Sequence, residues 1–375
     1  MPQTDMQISD QDDLRLLRES VRTLFDRAQG VARARKLRDA GGGWSDDMLL
    51  ELARAGVFAV TLPEENGGLG LGLAAAGVIA EEVGRVIAPE PVVPTLGLAL
   101  GLLRRLCPDH PAVERLAGGE AVLAVAWQER GPDGRPSTAP AGCRFADGAL
   151  SGRKAWVVAA ARAQGFLVLA EGDGGPVLAL VEARAPGVSV EQRIQADGSA
   201  LCELTFSGTP AEELASGPAV AQALAQAVAD ATALAAAELV GLADRAFEIA
   251  LDYIKTREQF DKPIGAFQVI QHRAVDLAVM REVAQATVRE VLALMDAQAD
   301  PAARARLASR AKARAVTAAR QITRDAIQLH GAVGYTDEYD IGLYLNRALV
   351  LSAWLGDDAH HRRLWFEARE AEGAA

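Results

Sequence analysis

The sequence predicts an α+β protein of several domains: a helical region, then a β-rich region, then a helical bundle. Apolar residues recur at helical spacing up to about residue 118 and again after residue 218. Between these regions, short apolar runs alternate with Gly, Asp and Pro clusters, as is typical of strands and turns. The length of 375 residues suits two or three domains. We therefore expect an N-terminal helical domain (1–118), a middle barrel-like or sandwich-like β domain (119–217) and a C-terminal four-helix bundle (218–375).

The first region contains two clear helix signals. Apolar residues at helical spacing predict a helix over Asp10–Ala28, and Ser45 is a suitable N-cap for a helix over Asp46–Ala55. Leu62–Leu71 is a glycine-rich loop, but no βαβ unit surrounds it, so we do not interpret it as a dinucleotide-binding loop.

The middle region has strand signals and the last region has long helix signals. The predicted strands are Ala121–Trp127, Phe166–Ala170, Val177–Val181 and Leu201–Phe206. The predicted helices of the bundle are Ala219–Phe260, Phe267–Ala299, Pro301–His330 and Leu343–Ala368. The most apolar run, Ala219–Ala243, contains Asp230 and Glu238, which favours a buried helix over a membrane span.

Composition and charge exclude some functions. Half of the residues are apolar, 24% are charged, and the net charge of −11 argues against nucleic-acid binding. An anionic small ligand remains possible, because local Lys and Arg can hold it. The three cysteines, Cys107, Cys143 and Cys202, form no CxxC pair, and the polar N-terminus lacks a signal peptide's apolar core. We therefore expect a reducing, cytoplasmic environment.

Two motifs in the last region are suited to a nucleotide. Arg257-Glu-Gln-Phe260 is followed by Phe267-Gln268, and the planar guanidinium of Arg257 matches a pyrophosphate. Further on, Gln328-Leu-His-Gly331-Ala-Val-Gly334 ends a helix with glycines that let backbone amides approach phosphate oxygens. Taken singly, each motif also fits a plainer interpretation, namely a surface arginine after a helix and a glycine at a helix C-terminus.

Together these motifs resemble the two nucleotide-arm signatures of the acyl-CoA dehydrogenase family, and the order of the domains resembles that family's fold. The resemblance implies that Arg257, Phe260, Gln268, Gln328 and Gly331 contact the pyrophosphate and adenine of an FAD whose flavin ring lies mainly in a neighbouring subunit. Two family glycines are replaced here, by Asp261 and Ala332.

The flavin side resembles the family less closely. Gln128–Arg135 stands where the family carries Thr-Glu-Pro-x-Ala-Gly-Ser-Asp. Lys154-Ala-Trp156-Val-Val158 resembles the family's Lys-x-Trp-Ile-Thr-Asn, which implies that Trp156 stacks on the flavin; a buried core tryptophan is the alternative. Val158 replaces the threonine whose hydroxyl meets the ring's reactive nitrogen in the family.

The resemblance places the family's catalytic glutamate at Leu355, which cannot abstract a proton. The alternative family position falls at Ala231 or Thr232, which also cannot act as a base. Nearby carboxylates that are candidates for a substitute base are Asp230, Asp357 and Asp358. No metal site is expected, because adjacent helical residues such as His360 and His361 point apart.

A conserved fold with a missing base leads to three functional hypotheses. The first is the supporting subunit of a heterotetrameric, FAD-dependent acyl-CoA dehydrogenase, paired with a subunit that carries the glutamate. The family associates such pairs with catabolism of steroid side chains or dicarboxylic acids, and an electron-transfer flavoprotein is the expected acceptor. The second is a homotetrameric flavoenzyme with altered chemistry on a substituted acyl-CoA. The third is a non-catalytic scaffold. The sequence does not specify the acyl chain.

Overall fold

A computed structural model describes residues 3–132, 134, 136–137 and 142–373. The chain forms two compact units, neither of which is continuous in sequence. The first consists of Met1–Lys36, Gly72–Ala88 and Thr232–Ala375, and the second of Leu37–Leu71 and Pro89–Ala231. The division at residues 118 and 217 stays a prediction.

The helices lie mostly before residue 118 and after residue 217. They are α1 (Gln3–Arg27), α2 (Gly30–Asp39), α3 (Asp46–Arg54), α4 (Gly72–Arg85), α5 (Leu100–Leu106), α6 (Pro111–Ala117), α7 (Pro218–Thr256), α8 (Gln268–Ala297), α9 (Pro301–His330), α10 (Ile341–Ala353) and α11 (Asp358–Gly373). A π-helical stretch, Pro94–Ala99, precedes α5, and short 3-10 turns occupy Glu64–Asn66, Ala160–Arg162, Ile264–Ala266 and Gly331–Tyr335.

The strands lie in the second unit, apart from one small hairpin. They are β1 (Leu123–Ala126), β2 (Glu129–Arg130), β3 (Pro136–Ser137), β4 (Arg144–Ala146), β5 (Ala149–Val158), β6 (Gly165–Gly172), β7 (Gly175–Glu182), β8 (Val188–Ile194), β9 (Ala200–Pro210), β10 (Glu212–Ser216), β11 (Glu258–Gln259) and β12 (Lys262–Pro263).

Eight of these strands form one sheet in the order β10-β7-β6-β4-β5-β9-β8, with β1 pairing in parallel with β6. The β6–β7 and β8–β9 pairs are antiparallel with continuous register, as in Gly165↔Glu182 and Val188↔Phe206. The predicted sequence of a helical region, a β-sheet region and a helical region is confirmed.

Helix α7 is largely buried. It is long and apolar enough to cross a membrane, but 83% of its most apolar window is buried inside the protein. This burial favours the predicted core helix over a membrane span. Within the first unit, Glu238 of α7 is buried and accepts hydrogen bonds from Arg347 of α10 at 2.6 and 3.0 Å.

The bounds of three predicted helices differ from the structure by more than two residues. Helix α1 begins at Gln3 and not at Asp10. Helix α7 ends at Thr256 and not at Phe260, because residues 258–263 form a hairpin. The single predicted helix Leu343–Ala368 is two helices, α10 and α11. The break occurs because Leu355 and Gly356 adopt φ angles of 62° and 106°, which no right-handed helix accommodates.

Candidate functional site

The first nucleotide-arm motif folds as a tight hairpin directly after α7. β11 pairs with β12, and the two residues between them, Phe260 and Asp261, have φ angles of 55° and 63°. A two-residue hairpin turn of this kind requires positive φ at both central positions. Aspartate visits the left-handed region more readily than most residues, so Asp261 can replace the family's glycine without changing the backbone.

Two polar side chains of this motif are available to a ligand. Arg257 is exposed, and its guanidinium has no hydrogen bond or ion pair with any residue that the structure describes. Gln268 is exposed at the first position of α8, whose N-cap residue, Phe267, provides no side-chain cap. The N-terminus of a long helix favours anions, because its first amide groups have no partner within the helix.

The second motif forms the C-terminal turn of α9. Gln328 is exposed, and Gly331 has φ 64° and ψ −141°, a conformation that essentially only glycine adopts. A Cβ atom on Gly331 would have no heavy atom within 4 Å, so the turn leaves open space there. A Cβ on Gly334 would lie 2.7 Å from the Ile327 carbonyl oxygen, so packing requires glycine at that position.

An aromatic cluster that the sequence did not reveal holds the two motifs together. The rings of Tyr253 and His330 stack with centroids 4.3 Å apart, and Tyr339 contacts both, at 6.3 Å from Tyr253 and 4.8 Å from His330. The Arg257 amide donates to the Tyr253 carbonyl at 2.8 Å. The last turn of α7 and the last turn of α9 are therefore neighbours. Arg257 and Phe260 follow the first of these turns, Gln328 and Gly331 lie at the second, and Gln268 begins α8.

His330 is neutral in this cluster. Its Nδ1 lies 2.6 Å from the Ala326 carbonyl oxygen, and burial lowers the pKa of the imidazole. Its Nε2 is buried and has no hydrogen-bond partner among the described residues. The ring therefore acts mainly as a stacking surface between two tyrosines.

On the flavin side, Trp156 lies at a bulge in β5. Its φ is 54°, and the β5–β9 register shifts between Lys154 and Val157. The indole is half-buried, with the Arg130 guanidinium 4.8 Å from its ring centroid. The position of Trp156 against a flavin stays a prediction. Asp133 and Arg135, part of the predicted flavin-side segment, lie outside the described residues.

A buried ion pair supports this bulge. Lys154 Nζ donates to Glu129 Oε1 at 2.6 Å, and Glu129 also accepts from the amides of Gly142 (2.7 Å) and Cys143 (3.2 Å). The resemblance matches Glu129 to the glutamate of the family's Thr-Glu-Pro motif. In this structure it compensates the charge of Lys154 and anchors residues 142–143 beside β5.

The position that the resemblance assigns to the catalytic glutamate lies in the turn between α10 and α11. Leu355 is half-buried with φ 62°, and Gly356 follows with φ 106°. Lys312 Nζ donates to the carbonyls of Leu351 and Trp354, and His361 Nε2 lies 3.0 Å from the Leu355 carbonyl. A leucine in left-handed backbone conformation is uncommon and marks this turn as strained.

The two aspartates after this turn have structural partners. Asp357 Oδ1 accepts the backbone N–H of His360 at 2.8 Å, which caps the start of α11. Asp358 lies 3.5 Å from Arg362 and 3.8 Å from Arg320. These contacts favour a structural role for both carboxylates.

Asp230 is also bound in a structural arrangement. It is 1% exposed, and its Oδ2 accepts from Arg104 at 2.9 Å and from Arg105 at 2.6 Å. Removing one partner of such a buried pair leaves an uncompensated charge. These contacts favour a structural carboxylate over a base.

The described residues contain no group of three or more His, Cys, Asp or Glu side chains that could hold a metal ion. His360 and His361 have ring centroids 5.2 Å apart but make different contacts. His361 is bound between Ser309 and Leu355, and His360 lies beside Arg363.

Comparison with known families agrees with this geometry. The family model "Acyl-CoA dehydrogenase, N-terminal domain" matches residues 11–106, and "Acyl-CoA dehydrogenase, C-terminal domain" matches residues 220–368. The chain belongs to the acyl-CoA dehydrogenase family, whose members are flavoprotein oxidoreductases.

Individual relatives extend this comparison. The chain is 30% identical over 338 residues to acyl-CoA dehydrogenase IpdE2 of Mycobacterium tuberculosis, covering 90% of this chain and 91% of that protein. A solved structure of a variant of the Tcur3481–Tcur3483 steroid ACAD is 30% identical, with a TM-score of 0.86 over 98% of this chain and 100% of that one. The ChsE4–ChsE5 complex of Mycobacterium tuberculosis shares the fold, with 23% identity and a TM-score of 0.82 over 93% and 95% of the two chains.

Proposed function

We propose that this chain is the supporting subunit of a heteromeric, FAD-dependent acyl-CoA dehydrogenase. Its nucleotide arm would bind the FAD that it shares with a neighbouring subunit. That subunit's carboxylate would remove the α proton of an acyl-CoA thioester. An electron-transfer flavoprotein is the proposed acceptor, and the cytoplasm is the proposed location.

The observation that carries this proposal is the turn at Leu355. The turn has a left-handed conformation at Leu355. The resemblance assigns this residue to the family's glutamate, yet its side chain is an alkyl group. Of the nearest carboxylates in sequence, Asp357 caps α11 and Asp358 lies beside two arginines. General-base catalysis requires a basic atom within hydrogen-bond reach of the proton, so the base is best supplied by another chain.

The residues of the nucleotide arm fit the FAD pyrophosphate and adenine. Arg257 offers a guanidinium without a partner among the described residues, and Gln268 stands at a helix N-terminus that favours anions. Gly331 leaves open space where a side chain would otherwise intrude. Bound FAD would supply the acceptor for the hydride from the substrate's β carbon.

The relatives support a heteromer and a steroid-related substrate. The Tcur3481–Tcur3483 steroid ACAD and the ChsE4–ChsE5 complex are each named for two different chains. We therefore propose an acyl-CoA with a bulky, steroid-derived acyl group as the substrate class. Dicarboxylic acyl-CoA thioesters remain the second candidate that the family resemblance implies.

Co-expression with the second acyl-CoA dehydrogenase of the same operon or genome neighbourhood tests this proposal. We expect flavin absorbance near 450 nm only in the co-purified complex; that wavelength is about the usual maximum of a flavin cofactor. A chain that purifies alone as a yellow tetramer would instead favour the homomeric enzyme with altered chemistry. Absence of flavin from both preparations would favour the scaffold.

A further inference from the structure

A lysine holds one side of the turn at residue 355. Lys312 lies in the middle of α9 with 0% exposure, and its Nζ donates to the carbonyl oxygens of Leu351 at 2.8 Å and Trp354 at 2.5 Å. These carbonyls belong to the last turn of α10 and to the residue after it. One buried ammonium group therefore fixes the chain immediately before Leu355.

A histidine holds the other side of the same turn. His361 Nε2 lies 3.0 Å from the Leu355 carbonyl oxygen, and its Nδ1 lies 3.1 Å from the Ser309 hydroxyl. The carbonyl can only accept, so Nε2 carries the proton and the hydroxyl donates to Nδ1. A Cβ on Gly356 would lie 3.0 Å from His361 Nε2, so the ring also packs directly under the turn.

The turn needs such support. A left-handed backbone conformation is unfavourable for a residue with a Cβ, and it persists only where the surroundings over-determine it. Leu355 adopts φ 62°, although its own side chain is only half-buried. The support comes instead from the backbone, where Lys312 of α9 contacts the Trp354 carbonyl and His361 of α11 contacts the Leu355 carbonyl.

We infer that Lys312 and His361 are positioning residues that together hold the turn at residue 355 in its left-handed conformation, and so fix the direction in which side chain 355 is presented. This inference deepens the proposed function, since it rests on assigning residue 355 to the family's catalytic position. The chain would then have kept the backbone support of a catalytic turn after losing its carboxylate.

The electrostatic surroundings of His361 favour a positioning role for its imidazole. Burial lowers the pKa of Lys312 to about 7, although the negative charges of Glu238 and Asp357 act to raise it. Glu238 is itself paired with Arg347. Burial, together with the nearby charge of Lys312, lowers the pKa of His361 to about 3. His361 is thus neutral at pH 7 and can serve as a fixed donor to Leu355.

Local hydrogen exchange of the full-length chain alone tests the inference. Lys312→Met removes the donor and keeps an unbranched side chain of similar length. We expect it to accelerate hydrogen exchange of the amides at residues 354–356 about tenfold, because a strained turn that loses these hydrogen bonds opens more often. The control is Arg314→Met on the same helix, which removes an exposed cation. It should leave the exchange rates of these amides unchanged.

A second substitution separates positioning of a strained turn from ordinary capping of α10. Glycine adopts positive φ readily, so Leu355→Gly should largely suppress the effect of Lys312→Met on exchange. An equally large effect of Lys312→Met in the Leu355→Gly background would overturn the inference. So would the absence of any effect in the presence of Leu355.

Two substitutions of His361 provide an independent test if Lys312→Met does not fold. His361→Leu should accelerate exchange at residues 354–356, and His361→Gln, whose amide NH₂ reaches the Nε2 position, should restore the wild-type rate. Equal rates in the Leu and Gln variants would contradict the assigned role. These measurements require neither partner nor flavin, so their outcome is independent of whether the heteromer exists.

Discussion

At the residue scale, Arg257 is the residue that we propose to contact the FAD pyrophosphate. Because its guanidinium has no competing partner among the described residues, Arg257→Ala should weaken binding of FAD without perturbing the fold. A charge-assisted hydrogen bond of this kind contributes about 1.5–3 kcal/mol. We expect lower flavin content per assembled oligomer after gel filtration.

The matched control is Lys255→Ala, which removes another exposed cation two residues earlier, near the end of α7. It should leave the flavin content at the wild-type level. Equal flavin content in the Arg257→Ala and wild-type complexes would mean that the hairpin after α7 does not contact the pyrophosphate.

Lys312 should give the stability of the protein a recognisable pH dependence. The pKa of this buried amine is about 7, whereas a free lysine ionises at about 10.4. Between these values the unfolded state binds more protons than the folded state, so the free energy of unfolding rises with pH. Stability is thus lost as the pH falls from about 8.5 to 7. This window lies above the ordinary pKa values of carboxyl groups and histidines and below those of tyrosines and other lysines.

Urea denaturation at several pH values measures this slope. In Lys312→Met the rise between pH 7 and 8.5 should disappear, because residue 312 no longer titrates, while Arg314→Met should retain it. A Lys312→Met protein with the wild-type slope would show that another group is responsible. The lone chain suffices for this experiment.

At the element scale, α8 presents an exposed apolar stripe. Val275, Val279 and Val283 are 60%, 58% and 41% exposed and lie on one face, four residues apart. Gln268, predicted to meet the partner's FAD, begins the same helix. These features favour the prediction that the long C-terminal helices form the subunit interface.

A single charge in this stripe should weaken assembly. Val279→Asp places an unpaired carboxylate in the expected interface, which we expect to weaken association at least about tenfold. Val279→Thr is the control, because it keeps the branched shape. Light scattering of the purified oligomers should show smaller species only for the aspartate variant; unchanged mass would place the interface elsewhere.

Element boundaries show where sequence reasoning worked. The predicted helix Pro301–His330 is confirmed as α9, because its end signals are local: Asp300 caps the amides of Ala302 and Ala303, and Gly331 ends the helix. The predicted helix Leu343–Ala368 is wrong, because a leucine at positive φ breaks it. That conformation depends on contacts from α9, more than forty residues earlier in the sequence.

At the scale of the whole molecule, the chain alone should not oxidise ordinary saturated acyl-CoAs. Loss of the general base lowers the rate by about 10²–10⁴-fold, and the altered flavin side, including Val158, should lower it further. The assay is reduction of an artificial electron acceptor by FAD-reconstituted protein with a panel of acyl-CoAs. Turnover at rates typical of the family would refute the supporting-subunit proposal.

The complementary variant is Leu355→Glu. We expect it to restore little activity to the lone chain, because a new carboxylate does not repair the flavin side. A large gain would show that this chain holds its own flavin well. In that event Asp230→Asn, Asp357→Asn and Asp358→Asn would show whether any native carboxylate acts as a base in the unmodified protein.

The sequence by itself determined the order of helical and β regions and the family, because these depend on local periodicity and on short motifs; its assignment of the nucleotide-arm residues stays a prediction. Tertiary structure decided how these residues are held. The stacking of Tyr253, His330 and Tyr339 unites two motifs that are about seventy residues apart in the chain. Likewise, the burial of Lys312 against the turn at Leu355 is set by helix packing. An isolated lysine in a helical sequence reads as a surface charge, and only packing shows that its ammonium group is enclosed.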